Sequence, residues 1–394
     1  MSEILDGVRV LDFGRYIAGP YCACLLGDLG ADVIRVERVG GSEDRWVTPV
    51  GEDGAGALFL QVNRNKRGMT LDPMSAGGRE VVARLLATAD VVVANLPAST
   101  LSAMGLDEES VRAVRPDAVL TTVSAFGNGG PYSNRVDFDG VGQVMCGAAY
   151  LTGEPDQPTK SYVPWVDFMT ATLAAFGTMS ALWWRDRTGE GQRVEGALLR
   201  SAMAVASAAL IEQGVARPDR VATLNRAQTA GPSDIFATAD GWIIVQVVGR
   251  PLFERWAKLM GDDNWLTDPR FADDDGRGRN GELLSERMGR WCARRTTGEA
   301  LAELEAARIP AGPVYSPQQA LEDPHVLAAG LLQPTDYPGL PRPAPLGRTP
   351  VQLSVTPGTI RRRAPTLGEH TDELLGSLGY DAAAIASLRT SGAV

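Results

Sequence analysis

The first forty residues restrict the fold more than any other stretch. Val8–Phe13 (VRVLDF) is a run of strand formers closed by Gly14, and Ile17-Ala18-Gly19-Pro20 leads from it into an apolar helix over Tyr21–Leu29. Gly30-Ala31-Asp32 is a turn signal, and Val33–Val36 is a second strand. Two strands joined through one helix form a β-α-β unit, whose strands run parallel with the helix across a sheet face. The same pattern returns downstream. Gly78–Ala87 reads as a helix, Asp90–Ala94 (DVVVA) as an apolar buried strand, Met104–Val114 as a helix and Ala118–Ser124 as another strand. The expected class is therefore α/β with a parallel sheet. Ligands of such sheets sit outside the carboxyl ends of the strands. Those ends are Gly14–Ala18, Glu37-Arg38, Asn95-Leu96-Pro97 and the glycine-rich loop Phe126–Pro131. The dinucleotide pattern G-x-G-x-x-G is missing after the first strand and from the last loop, and no Walker A pattern occurs. Nicotinamide-dinucleotide and P-loop readings are excluded on that ground.

A second stretch, Tyr162–Gly196, holds the candidate chemistry. Pro164 forces extended backbone before it, and a long apolar run follows with no proline and one glycine. It predicts a buried helix ending near Trp184, a turn at Thr188-Gly189-Glu190-Gly191 and a short strand at Gln192–Glu195. Ala171, Ala174, Ala175, Gly177, Ser180 and Ala181 keep that helix small enough for another backbone to approach. Asp167 stands at its mouth. One reading makes it the helix N-cap, accepting backbone N–H groups and favoured by the helix dipole. The other makes it a nucleophile, kept ionised by the helix N-terminus in a water-poor pocket. The two are compatible, because one oxygen can cap while the other attacks. Tyr162 and Trp165 beside it are either pocket wall or, as expected for aromatics, core packing.

Composition removes several other classes. A net charge of −10 argues against nucleic acid or an anionic membrane as partner. No run of eighteen apolar residues and no basic-then-apolar leader is present, so neither a membrane span nor a signal peptide is expected. Cys22, Cys24, Cys146 and Cys292 have no zinc spacing and read as reduced, buried thiols of a cytoplasmic protein. His325 and His370 are the only histidines, which leaves little for His-based metal sites or for Ser-His and Cys-His nucleophiles; no metal site is expected. The most basic cluster, Arg64, Lys66 and Arg67 in VNRNKRGMTLD, is either a solvated loop or an anion site. Gly40–Gly56 reads as a polar loop and Asp273–Arg279 as a solvated charge run. Ile235–Thr238 and Trp242–Val247 predict a hairpin across Ala239-Asp240-Gly241. With amphipathic helices at Pro251–Leu259, Leu283–Arg294 and Gly298–Ala307, it suggests a smaller α+β domain at 225–320. A last helix is expected at Thr371–Leu378.

Taken in order, VLDFGRYIAGPYCACLLGDLGADVIRVER, NRNKRGMTLD, ADVVVANLPASTLSAMGL, PWVDFMTA, RTGEGQRVEGAL, DPRFADDDGRGRNGELL, ARIPAGPVYSPQQALEDPHV and LGEHTDELLGSLG resemble the class III CoA-transferase family over nearly the whole chain. That family includes formyl-CoA:oxalate and carnitine CoA-transferases and the α-methylacyl-CoA racemases. The resemblance implies a Rossmann-like large domain (1–205, with 321–394 returning to it), a linker (206–224) and the small domain between. It also implies an interlinked homodimer. It implies transfer of CoA from an acyl-CoA donor to a carboxylic acid acceptor, with the CoA thioester as substrate and no permanently bound cofactor. The family's nucleophile is an aspartate in a P-x-x-D context, here Asp167. Its CoA-binding positions map onto Tyr16, Ile17 and Ala18, Arg38, Leu71, Asp72, Pro73 and Met74, Asn95, Leu96 and Pro97, and Arg135 and Asp137. Two departures stand out. Ala103 precedes Met104-Gly105 where such transferases often carry an arginine. Val248-Gly249-Arg250-Pro251 replaces the glycine run of the oxalate enzyme, which counts against oxalate as acceptor. An acyl-CoA racemase on the same fold is the first alternative, but Phe138 stands where the racemases place their histidine. A non-catalytic acyl-CoA-binding protein is the second.

Overall fold

The computed structural model describes residues 3–51 and 55–394, so residues 52–54 of the expected Gly40–Gly56 loop lie outside it. The chain forms two compact units. The first comprises Met1–Cys146, Ser161–Ile211 and Ala329–Val394; the second comprises Gly147–Lys160 and Glu212–Ala328.

The first unit is built on a six-stranded sheet of β1 (Arg9–Asp12), β2 (Asp32–Glu37), β3 (Lys66–Thr70), β4 (Val91–Ala94), β5 (Val119–Ser124) and β6 (Arg193–Ala197). All neighbours pair parallel, in the order β3-β2-β1-β4-β5-β6. Val10 sits in register between Val33 and Val91. Val91, Val92 and Val93 are fully buried, as continuous apolar strands are when helices cover both faces. The strand order reverses between β1 and β4, which opens a crevice at their carboxyl ends.

Helix Ala18–Asp28 begins three residues earlier than its apolar run suggested. Pro20 falls in the first turn, where backbone N–H groups have no intrahelical partner and a missing one costs nothing. This helix packs on Trp165–Thr188, whose small residues Ala171, Ala174 and Ala175 are buried. Thr178 Oγ1 lies 2.6 Å from Thr121 Oγ1 on β5. A side chain at Gly177 would meet Val194 at 2.8 Å, so that close approach requires glycine. The long helix ends at Thr188, one turn past Trp184, because Arg185–Arg187 continue it outside the apolar run. Gly189, at φ 76, then closes it. Of the expected Met104–Val114 helix only Glu108–Val114 forms, and a separate helix, Ala98–Ala103, precedes it. They are separated by left-handed Gly105, and Asp107 caps the second through Ser110 N–H.

The basic cluster is neither a solvated loop nor an anion site. It runs into β3, with each cation held by a carboxylate of an earlier element. Lys66 Nζ is fully buried, 2.7 Å from Asp12 Oδ2 and from Pro20 O and 2.9 Å from Asn63 Oδ1. Arg64 pairs with Asp28 at 2.6 Å, and Arg67 with Asp32 and Glu373, each at 2.7 Å. Tyr162 is 96% exposed and Trp165 half-buried, so core packing fails for the first.

The second unit holds an antiparallel sheet of Ala311–Pro313, Trp242–Gln246 and Ser233–Ala237, the last two forming the expected hairpin. Phe253, Trp256, Phe271, Leu284, Met288 and Leu304 fill its core. The Asp273–Arg279 charge run is a helix, Asp274–Arg279, rather than a solvated loop. Arg277 is buried there, donating to Phe271 O and Asp274. Gly249 opens helix Arg250–Met260 at φ 81, and its N–H is shared by both Asp274 oxygens. Among the described residues no single helix is long and apolar enough to cross a membrane.

Candidate active site

A cavity of about 710 Å³ opens at the carboxyl ends of β1, β4 and β5. Its wall includes Arg15–Ala18 after β1, Asn95–Pro97 after β4, Thr122–Ala125 at the end of β5, the segment Ser133–Phe138, and Asp167. It lies where the strand order reverses, the place that the sheet argument assigned to a ligand. Asn95 ties the two central loops together: its Oδ1 accepts from Arg15 N–H at 2.6 Å and its Nδ2 donates to Arg15 O at 2.8 Å. Gly19 allows this contact, because a Cβ there would sit 2.9 Å from Asn95 Oδ1. Tyr16 takes a left-handed conformation at φ 60, with its N–H donated to Asp44 Oδ2. Such strain persists only where the surroundings over-determine it. Arg15 is pinned by Nη1 donating to Phe13 O, Gly14 O and Val36 O. Burial, then the neighbouring Arg35, pushes its guanidinium down to about 10, where it remains charged at neutral pH.

Asp167 is the third residue of helix Trp165–Thr188 and only 8% exposed. It is not the N-cap, a position that Pro164 occupies. The N–H groups of Val166 and Asp167 donate instead to Asp139 Oδ1, at 2.7 and 3.0 Å. The donors that would have held Asp167 ionised are thus engaged elsewhere. Burial, with the charge of Asp139 adding to it, pushes the Asp167 carboxyl up to about 7. The expectation of a carboxylate ionised in the ordinary range is corrected accordingly: near neutral pH both forms are populated.

Of the residues singled out from sequence, Tyr16, Ile17, Ala18, Asn95, Leu96, Pro97, Arg135, Asp137 and Asp167 meet in this one cavity. Arg38, Leu71, Asp72, Pro73 and Met74 lie outside its wall. Arg38 pairs with Glu43 at 2.6 Å on the surface. Leu71 is buried in the core, Asp72 Oδ1 accepts from Met74 N–H, and the Met74 side chain is exposed. Sequence reasoning covered Arg15 only within Gly14–Ala18, without singling it out, and passed over Thr122, near the carboxyl end of β5 in the cavity wall. Phe138 packs edge-on against Tyr16, ring centroids 5.2 Å apart.

The comparisons with known proteins agree with one another. CoA-transferase family III matches residues 5–371. The chain is 33% identical to the succinyl-CoA–D-citramalate CoA-transferase of Chloroflexus aurantiacus over 95% of this chain and 94% of that one. It is 32% identical to the formyl-CoA:oxalate CoA-transferase of Rhodopseudomonas palustris over 100% and 98%. Among solved structures, a CAIB/BAIF family protein from Brucella suis superposes with a TM-score of 0.82 at 32% identity, over 96% of this chain and 100% of that one. The Mycobacterium tuberculosis protein Rv3272 does so with a TM-score of 0.82 at 28% identity, over 95% and 99%. A parallel sheet with its cavity at the switch point, together with this similarity along almost its whole length, shows that the chain is a CoA-transferase and belongs to CoA-transferase family III.

Proposed function

We propose that this enzyme moves CoA from an acyl-CoA donor to a carboxylic acid acceptor through covalent intermediates on Asp167. The observation that carries the reading is the placement of Asp167: a buried carboxyl in the wall of the switch-point cavity, on the first turn of a long helix. A carboxylate oxygen of Asp167 attacks the thioester carbonyl carbon, the C–S bond breaks, and CoA leaves as thiolate, giving a mixed anhydride. The thiolate attacks the aspartyl carbonyl, releasing the donor acid as carboxylate and leaving an aspartyl-CoA thioester. The acceptor carboxylate attacks that thioester, and the thiolate released then attacks the acceptor carbonyl, restoring Asp167. Each step exchanges a carboxylate for a thiolate, so no proton is transferred and no histidine is required. Burial keeps Asp167 reactive, because a carboxylate that is weakly solvated and of high pKa is the better nucleophile.

CoA enters past Tyr16–Ala18, Asn95–Pro97, Arg135 and Asp137 in this reading, with Arg38 and Leu71–Met74 assigned to it by resemblance alone. Succinyl-CoA and formyl-CoA, named as donors for the relatives, head the panel of test substrates. After incubation with each acyl-CoA and hydroxylamine trapping, peptide mass spectrometry is expected to find the modification on Asp167. No modification, together with exchange of an α-proton in deuterated water, would favour the racemase. No modification and no exchange, with CoA still bound, would favour a binding protein.

The pH profile is a separate test. The attacking form is the carboxylate, so the single-turnover rate of adduct formation should rise with pH through a midpoint at about 7. A midpoint near 4 would show that Asp167 is an ordinary carboxylate.

The homodimer belongs to the same reading. Leu173, Phe176, Trp183 and Trp184 lie along one side of helix Trp165–Thr188, and Phe176 is 72% exposed. An apolar stripe of that kind is a face for a second copy. Light scattering should give twice the chain mass. An interlinked pair cannot come apart without unfolding, so the mass should stay unchanged on dilution. A monomer at micromolar concentration would overturn the dimer. In this reading the enzyme works in the cytoplasm.

A further inference from the structure

We infer that Asp139 and Gln143 form a buried clamp that aims the nucleophile, with Asp139 acting as a positioning residue for Asp167 rather than as a participant in the chemistry. The clamp stands on the covalent reading given above, and it assigns a role to two side chains that the reaction scheme does not use.

The geometry is specific. Asp139 opens the short helix Asp139–Met145, and Gln143 lies one turn further along it, so both project from the same face. Both are buried, at 7% and 2% exposed. Asp139 divides its two oxygens. Oδ1 takes the N–H groups of Val166 and Asp167, and Oδ2 takes the Nε2 amide of Gln143. Gln143 in turn reaches back along the chain. Its Oε1 accepts from Ser161 N–H at 2.8 Å, and its Nε2 lies 3.5 Å from Val163 O. Two side chains from one helical turn therefore hold the backbone from Ser161 to Asp167 at both ends of Pro164.

The arrangement meets a need that the local sequence leaves open. Pro164 stands at the N-cap position and offers no side-chain oxygen, so the first turn of the long helix has no cap of its own. A first turn without a cap frays, and the residue that must hit a thioester carbon sits in that turn. Asp139 supplies the cap from 27 and 28 residues away in sequence. It caps with a charge, which makes both bonds charge-assisted. The charge also faces Asp167. Asp139 disfavours the free Asp167 carboxylate, and that repulsion disappears once Asp167 is converted to a neutral anhydride or thioester. The clamp thus fixes the direction of attack and raises the free nucleophile relative to its acylated forms. The remaining charged groups of the cavity wall, Arg15, Arg135, Asp137, Arg193 and Glu195, are on other elements, and none is among the causes that shift the Asp167 carboxyl.

The test compares wild type with Asp139→Asn and Asp139→Ala, using succinyl-CoA or whichever donor labels Asp167 in wild type. Asparagine keeps an oxygen for the two N–H groups and loses the charge; alanine loses both. Asp139→Ala is expected to lower kcat about 100-fold with little change in KM, as a misaimed group does. Asp139→Asn should recover most of that rate, while the pH midpoint of adduct formation moves below the wild-type value. Hydrogen exchange of the Val166 and Asp167 amides should accelerate in the alanine variant and stay slow in the asparagine variant. A rate, midpoint and exchange pattern in Asp139→Ala equal to wild type would overturn the clamp. Absence of any Asp167 adduct in wild type would overturn the covalent reading instead, and the amide exchange would still report on the clamp.

Discussion

Replacing Asp167 with alanine is expected to lower CoA transfer by about 10⁴-fold or more while leaving the circular dichroism spectrum unchanged. No other carboxyl in the cavity wall shares its position at the mouth of the long helix. Asp137 is an exposed side chain on a loop, and Glu195 is already engaged with Asn128, Arg193 and Arg200. Asp167→Asn should be equally inactive and more informative about stability. The folded carboxyl titrates at about 7 and the unfolded one near 3.8. The folded state therefore holds its proton where the unfolded state has lost it. Its contribution to stability is complete below pH 4 and is lost as pH rises through 7. The displacement corresponds to at most about 4 kcal/mol, the upper bound for burying that charge. Urea unfolding at pH 8 should find Asp167→Asn more stable than wild type, with the difference vanishing near pH 4. Retained turnover in Asp167→Ala would sink the assignment of the nucleophile. An asparagine variant no more stable at pH 8 would show instead that the carboxylate is not held at a cost.

The contrast between what could be read from the chain and what could not follows the range of the interactions. The β1-helix-β2 unit, the apolar strand at Val91–Ala94 and the Ser233–Gln246 hairpin are written in windows of a few residues, as periodicity and turn chemistry. Asp167 was visible for the same reason, as a carboxylate between Pro164 and an apolar run. Its environment was not. The cap that displaces it comes from Asp139, and nothing within a helical turn of Asp167 announces that carboxylate. The VNRNKRG cluster misleads in the same way. A window around it shows only cations, while the anions that pair with them, Asp12, Asp28 and Asp32, lie 54, 36 and 35 residues earlier. Arg277 repeats the lesson in the second unit. Its carboxylate partner, Asp274, is close in sequence, but the burial that makes the pair structural is tertiary.

Substituting Lys66 with methionine is expected to destabilise the first unit by about 3–5 kcal/mol, the range for removing one partner of a buried ion pair. Lys66 Nζ bridges Asp12 at the end of β1, Pro20 in the following helix and Asn63 before β3. Burial alone would raise the Asp12 carboxyl; Lys66, then Arg35, outweigh it and hold Asp12 below its ordinary value. Without the ammonium, Asp12 keeps Arg35 at 3.5 Å and the Gly14 N–H, too little to offset a fully desolvated carboxylate. Arg67→Met gives the contrast. Its partner Glu373 is 59% exposed and Asp32 35%, so its loss should cost no more than about 1 kcal/mol. Adding Asp12→Asn to Lys66→Met should recover most of the loss, because asparagine still accepts from Gly14 and no longer carries a buried charge. Urea denaturation reads all three variants. Titration with CoA under folding conditions should give wild-type affinity for Lys66→Met, since Lys66 is fully buried and is not part of the wall of the switch-point cavity. A loss below about 1 kcal/mol for Lys66→Met would mean that the pair does not hold β3 against β1. A large loss of CoA affinity without a loss of stability would return the cluster to its anion-site reading.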